Sequence, residues 1–64
     1  MKQKAIEVFK KTISLRPEYF KAHYTICKLY AEMQDKENAL KELEIVRKMD
    51  SRSANELALL FRFE

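Results

Sequence analysis

A chain of 64 residues with one cysteine, one proline and no glycine cannot close an internal disulfide, and it lacks the residue on which tight β-turns lean for positive φ. It is 47% apolar and 36% charged with a net charge of +3, which suits a folded amphipathic helical protein better than a disordered tail. A domain of this size buries only ~60% of its unfolded surface, so an isolated core is marginal and a partner surface is the usual remedy.

The residues Ala5, Ile6, Val8, Phe9, Thr12, Ile13 and Leu15 recur mainly at i, i+3 and i+4, which predicts a helix over residues 1–16. Its charge is one-sided, with Lys2, Lys4, Lys10, Lys11 and Arg16 against Glu7 alone. Pro17 ends this helix by pushing Arg16 out of the α region, and it suits the first turn of the next, where Glu18 meets the positive end of the dipole. The second helix is predicted over Glu18 to Met33, with a stripe of Phe20, His23, Tyr24, Ile26, Cys27, Tyr30 and Met33.

Gln34 and Asp35 break the pattern, and Asp35 reads as the N-cap of a third helix lined by Ala39, Leu40, Leu43, Val46 and Met49. Glu37–Lys41 and Glu44–Lys48 are i,i+4 pairs in the favourable order. After the polar break at residues 50–53, Ser53 and Glu56 read as a capping box opening a fourth helix with a core face of Leu57, Leu60 and Phe61. The short connections turn neighbouring helices antiparallel.

A shift of 34 residues pairs Ala5 with Ala39, Ile6 with Leu40, Phe9 with Leu43, Thr12 with Val46 and Leu15 with Met49. It also pairs Ile26 with Leu60, Lys28 with Arg62, and the breaker Pro17 with Ser51. The middle unit reads His23-x-x-Ile26-Cys27-x-x-Tyr30, then Ala39-x-x-x-Leu43, then Ser51. Before it stands Ala5-x-x-x-Phe9 followed by Pro17, and after it Leu57-x-x-Leu60-Phe61. On these residues the chain resembles the tetratricopeptide repeat family, over nearly its whole length. The resemblance implies an all-α fold of four helices in antiparallel helix-turn-helix repeats, a right-handed α-solenoid. Residues 1–16 are then the second helix of a preceding repeat, 18–50 one complete repeat, and 53–64 a terminal capping helix.

Three positions depart from the family pattern. His23 stands where a bulky apolar residue is usual, Gln34 where a glycine is usual, and Phe61 where a small one is usual. A left-handed Gln34 costs about 1 kcal/mol, and Phe61 is tolerable if no helix packs on it.

The resemblance implies a scaffold that binds a protein or peptide, and no enzyme, cofactor or metal. In the family the first helix of each repeat lines a concave groove. The matching positions are Lys21, Tyr24, Thr25 and Lys28 on the second helix, and Asn55, Ala58, Leu59 and Arg62 on the fourth. The clamp that some members use for carboxylates needs an asparagine where Thr25 stands, so a complete clamp is rejected. Lys21, Lys28 and Arg62 still favour an acidic ligand.

Other readings come from the residues themselves. Unsatisfied apolar ends, with Ile6, Val8, Phe9 and Ile13 at one and Leu59 and Phe63 at the other, suggest homo-oligomerisation as the alternative. Nucleic-acid binding by the basic first helix ranks third. His23 and Cys27, four apart on one face, have zinc-ligand or Cys–His spacing, but no other Cys or His exists and core packing is the favoured reading. The longest apolar run, Leu57 to Phe61, is too short to span a membrane. A lone thiol and no leader-like segment point to the reducing cytoplasm.

Overall fold

The computed structural model describes residues 1–61 and, among them, contains four helices and no strand. These are α1 (Lys2–Leu15), α2 (Phe20–Glu32), α3 (Lys36–Met49) and α4 (Ser51–Ala58). The all-helical class is as the sequence predicts.

Each boundary has a local cause. Arg16, extended at φ −137° and ψ 81°, closes α1 by donating its N–H to the Thr12 carbonyl, as a residue preceding proline must leave the α region. The chain then makes a turn in which the Tyr19 N–H donates to the Arg16 carbonyl at 3.0 Å, with Pro17 at the position that favours its fixed φ. Pro17 and Glu18 therefore occupy the turn and not the first turn of α2, which starts at Phe20 with Tyr19 as its N-cap. Glu18 supplies no charge inside that helix, contrary to expectation.

At the far end of α2, Gln34 is left-handed at φ 62°. Its N–H donates to the Ala31 carbonyl at 3.1 Å and the Asp35 N–H to the Tyr30 carbonyl at 2.9 Å. This pair of bonds closes a helix around a residue that is usually glycine. Asp35 then caps α3, accepting from the Asn38 N–H at 3.3 Å and from the Asn38 side-chain amide at 2.8 Å.

The start of α4 differs from expectation. Asp50 both closes α3 and caps α4, its carboxylate accepting from the Arg52 and Ser53 N–H groups at 3.1 and 3.4 Å. The Ser53 hydroxyl donates to Asp50 Oδ2 at 3.1 Å, so Ser53 sits inside the helix and forms no capping box with Glu56. An aspartate reaches the second and third N–H groups beyond it, and the helix begins two residues early. Of the predicted terminal helix, residues 62–64 lie outside the described residues.

The core forms two clusters. The first gathers Ile6, Ile26, Tyr30, Ala31 and Ala39, with Phe9, Ile13 and Leu29 packed against it. The second gathers Cys27, Leu43, Val46, Ala54 and Leu57, with Phe20, Tyr24 and Ala58 at its edge. Phe61 packs against both. Full burial of side chains such as Ile6 and Leu57 contributes about 1.5–3 kcal/mol each.

Several positions of the predicted apolar stripes are exposed, namely Leu15, Met33, Leu40, Met49 and Leu60, as is Val8, which the self-association reading had placed outside. Conversely, Ile6 is wholly buried, so it is not part of an exposed self-association face. The periodicity marks an apolar arc, but α1 packs on α2 alone and α3 on α2 and α4, so only part of each arc is covered.

Gln34 gives a test of the local strain. Replacing it with glycine removes the side-chain clash of the left-handed conformation and should raise stability by about 0.5–1 kcal/mol. In a thermal melt that is a rise in Tm of roughly 3–8 °C, and a fall in Tm would contradict it.

Candidate functional site

The face of α2 turned away from the core carries Lys21, Thr25, Lys28 and Glu32, spaced i, i+4, i+7 and i+11 on one side of the helix. Lys21 and Lys28 are exposed and Thr25 is half-buried. Among the described residues neither lysine is ion-paired. Tyr24 stands between this face and the core: it is half-buried against the second cluster, and its ring lies 5.8 Å from that of Phe20 at a tilt of 46°.

An open cleft of about 230 Å³ is lined by Lys28, Ala31, Glu32, Gln34 and Leu60. It joins the C-terminal end of α2 to the turn that follows α4. Leu60 closes this cleft, whereas the sequence placed Asn55 and Leu59 there. Asn55 accepts a hydrogen bond from Arg47 Nη1 at 3.2 Å and so leans toward α3. Leu59 is exposed at the end of α4, and Ala58 is half-buried in the second cluster. Arg62 and Phe63 lie outside the described residues. Sequence reasoning missed Leu60, Glu32 and Gln34 as lining. The Lys28–Glu32 spacing was legible, but the position of Leu60 depends on where α4 stops.

His23 and Cys27 share a helix face as predicted, yet each is committed to the protein. His23 is buried, with Nδ1 2.9 Å from Glu42 Oε1 and Nε2 2.9 Å from the Pro17 carbonyl oxygen. The ring thus ties the α1–α2 turn to α3, in the slot where the family resemblance implied a bulky apolar residue. The Cys27 thiol donates to the Ala39 carbonyl at 3.4 Å. Both ring nitrogens face protein oxygens, so the pair has no nitrogen left to bind zinc or activate the sulfur. Among the described residues no group of three or more His, Cys, Asp or Glu is arranged to hold a metal ion. No helix among them is long and apolar enough to cross a membrane.

Electrostatics divides the surface. On α3 four charges pair within the helix, Lys41–Glu37 at 3.4 Å and Arg47–Glu44 at 3.7 Å. The second pair replaces the expected Glu44–Lys48. On α1, Lys10 lies 5.8 Å from the centroid of the Tyr30 ring, and hydrogen bonding to Tyr30 holds its ammonium above the usual lysine range. The other basic residues of α1 have no such partner among the described residues.

With this geometry in hand, no protein-family model, curated protein or solved structure matches the chain.

The buried thiol provides a check on the packing. Burial, and after it the charge of Glu42, pushes Cys27 up to about 12 from its ordinary value of 9.0. The folded chain therefore keeps the thiol proton more tightly than the unfolded one. Its stabilising effect is complete below about pH 9 and is lost as pH climbs toward 12. In native buffer near pH 8 an aromatic disulfide reagent should label Cys27 at least ~100-fold more slowly than in denaturant. Equal rates would show that α2 and α3 do not seal the sulfur.

Proposed function

We propose that this chain is a protein-interaction scaffold of tetratricopeptide-like, solenoid construction, binding an acidic peptide segment in extended form along α2 and the α2–α4 cleft. The observation that carries the reading is the row of unpaired Lys21 and Lys28 on the outer face of α2, of which Lys28 lines, with Glu32, a cleft that has an apolar wall at Leu60. Cations flanking an apolar slot favour a ligand that alternates carboxylates with apolar side chains.

The helix bounds support the repeat construction. α3 reproduces the limits of α1, Lys36 for Lys2 and Met49 for Leu15, at the 34-residue offset found in the sequence. The turn around Gln34, between the helices of the central unit, takes the left-handed form that a glycine would adopt. The α4 bounds do not follow the offset, since Asp50 starts that helix early.

The test is a titration with a proline-interrupted, Asp/Glu-rich fluorescent peptide that cannot become helical. Alanine at Lys21, Lys28 and Arg62 together should weaken binding by about tenfold and flatten its salt dependence; unchanged affinity overturns the reading.

Self-association is the second reading, favoured by the exposure of Leu59 at 75% and Leu60 at 51%. Light scattering across a dilution series should then show a molar mass that rises with concentration, and a monomer at every concentration removes it.

A further inference from the structure

The outer face of α1 combines exposed apolar side chains with unpaired lysines among the described residues. The inner face, turned to α2, carries Ile6, Phe9 and Ile13, which are buried or packed on the first cluster. On the opposite side stand Lys4, Val8, Lys11 and Leu15, at steps of four, three and four. Such steps average about 3.7 residues, close to one turn of an α-helix, so the four side chains share one stripe of α1. Val8 is 64% exposed and Leu15 80% exposed, and among the described residues nothing covers them. An open hollow of about 500 Å³ lined by Lys4, Glu7, Val8 and Lys11 lies on this same stripe.

We propose that this stripe is a docking seam for an acidic amphipathic helix of a partner protein, whose apolar residues pack on Val8 and Leu15 and whose carboxylates pair with Lys4 and Lys11. Charge complementarity selects the occupant. On α3, Lys41–Glu37 and Arg47–Glu44 pair within the helix, whereas Lys4 and Lys11 have no ion pair among the described residues and flank the exposed Val8 and Leu15. Their methylene stems extend the apolar stripe while the ammonium groups reach outward. The flank opposite Glu7 offers the half-buried Ala5 and Thr12, and the Thr12 hydroxyl is already satisfied by the Val8 carbonyl at 3.2 Å. That flank is small and makes no polar demand, so a second helix can approach closely.

Two other occupants fit less well. A membrane-surface helix needs a broad bulky apolar face, and α1 turns Phe9 and Ile13 inward, leaving only two apolar side chains alternating with lysines. A nucleic-acid backbone favours cations without interruption, and Glu7, Val8 and Leu15 interrupt them.

The experiment titrates the full chain against a fluorescent helical peptide of about three heptads, with leucine along its seam and glutamate on both flanks. A control peptide carries lysine in place of each glutamate. The glutamate peptide should bind at least about tenfold more tightly than the control. The double substitution Val8→Asp with Leu15→Asp, at exposed positions that leave the helical signal and melting temperature intact, should lower that affinity by at least about tenfold. Lys4→Glu with Lys11→Glu should invert the preference between the two peptides. The seam is distinct from the α2 groove, so Lys21→Ala with Lys28→Ala should leave the helical peptide's affinity unchanged. If that variant abolishes binding, the groove is reading the peptide and the seam is overturned while the groove reading stands. Failure of the glutamate peptide to bind, equal affinity of both peptides, or insensitivity to the aspartate pair overturns the proposal. So does displacement of the peptide by phosphatidylserine vesicles or duplex DNA at lower concentration.

Discussion

The arrangement depends on how closely α2 and α3 approach one another. The contact is made at small residues: Cys27 and Ala39 are entirely buried, and the Cys27 sulfur lies against the Ala39 backbone. A larger side chain at Ala39 or Cys27 would hold the helices apart and undo both clusters, since each draws on α2 and α3. Interiors packed to crystal-like density tolerate little added volume. With α2 seated, its remaining sides receive α1 and α4, and its outward face is left to present Lys21 and Lys28. The His23–Glu42 contact fixes the rotation of α2 about its axis, because the ring must meet α3 with one nitrogen and the Pro17 carbonyl with the other. A leucine in that slot would fill space without setting direction.

Much of this framework was legible in the sequence. The number of helices and the cap at Asp35 follow from local chemistry, and Gln34 was marked by the resemblance, which has a glycine at that place. The groove positions Lys21, Tyr24, Thr25 and Lys28 came from the resemblance, and the helical spacing of Lys21, Thr25 and Lys28 puts those three on one face. What was not legible is of three kinds. Competition between two good caps, Asp50 and Ser53, is decided by reach, and the longer acidic side chain starts α4 first. Ala22 and Ala54 carry no weight in a hydrophobic pattern, although they mark where helices touch. Contacts such as His23 with Glu42 join residues far apart in the chain and require the packing to be known. The same limit explains why Leu60, and not Asn55, closes the cleft beside α2.

The surfaces follow a division of labour set by charge. On α3, Glu37 and Glu44 are held by Lys41 and Arg47, and Glu42 meets His23. α1 and α2 keep lysines unpaired, and Tyr30 draws only Lys10 inward. Basic character therefore concentrates on one end and one face instead of spreading over the molecule. A concentrated field raises encounter rates with acidic partners more than it raises final affinity.

The two-cluster core has a consequence for motion. α1 is joined to the rest through α2 alone, and no helix bridges it to α4. Detachment of α1 breaks up the first cluster around Ile6 but leaves Cys27, Leu43, Val46, Ala54 and Leu57 in place. Cooperativity then passes from neighbour to neighbour and not across a single centre. This packing predicts that the amide hydrogens of α2 and α3 open last and those of α1 first. A molecule so built can lend its outer helix to a visitor while the inner pair keeps the shape.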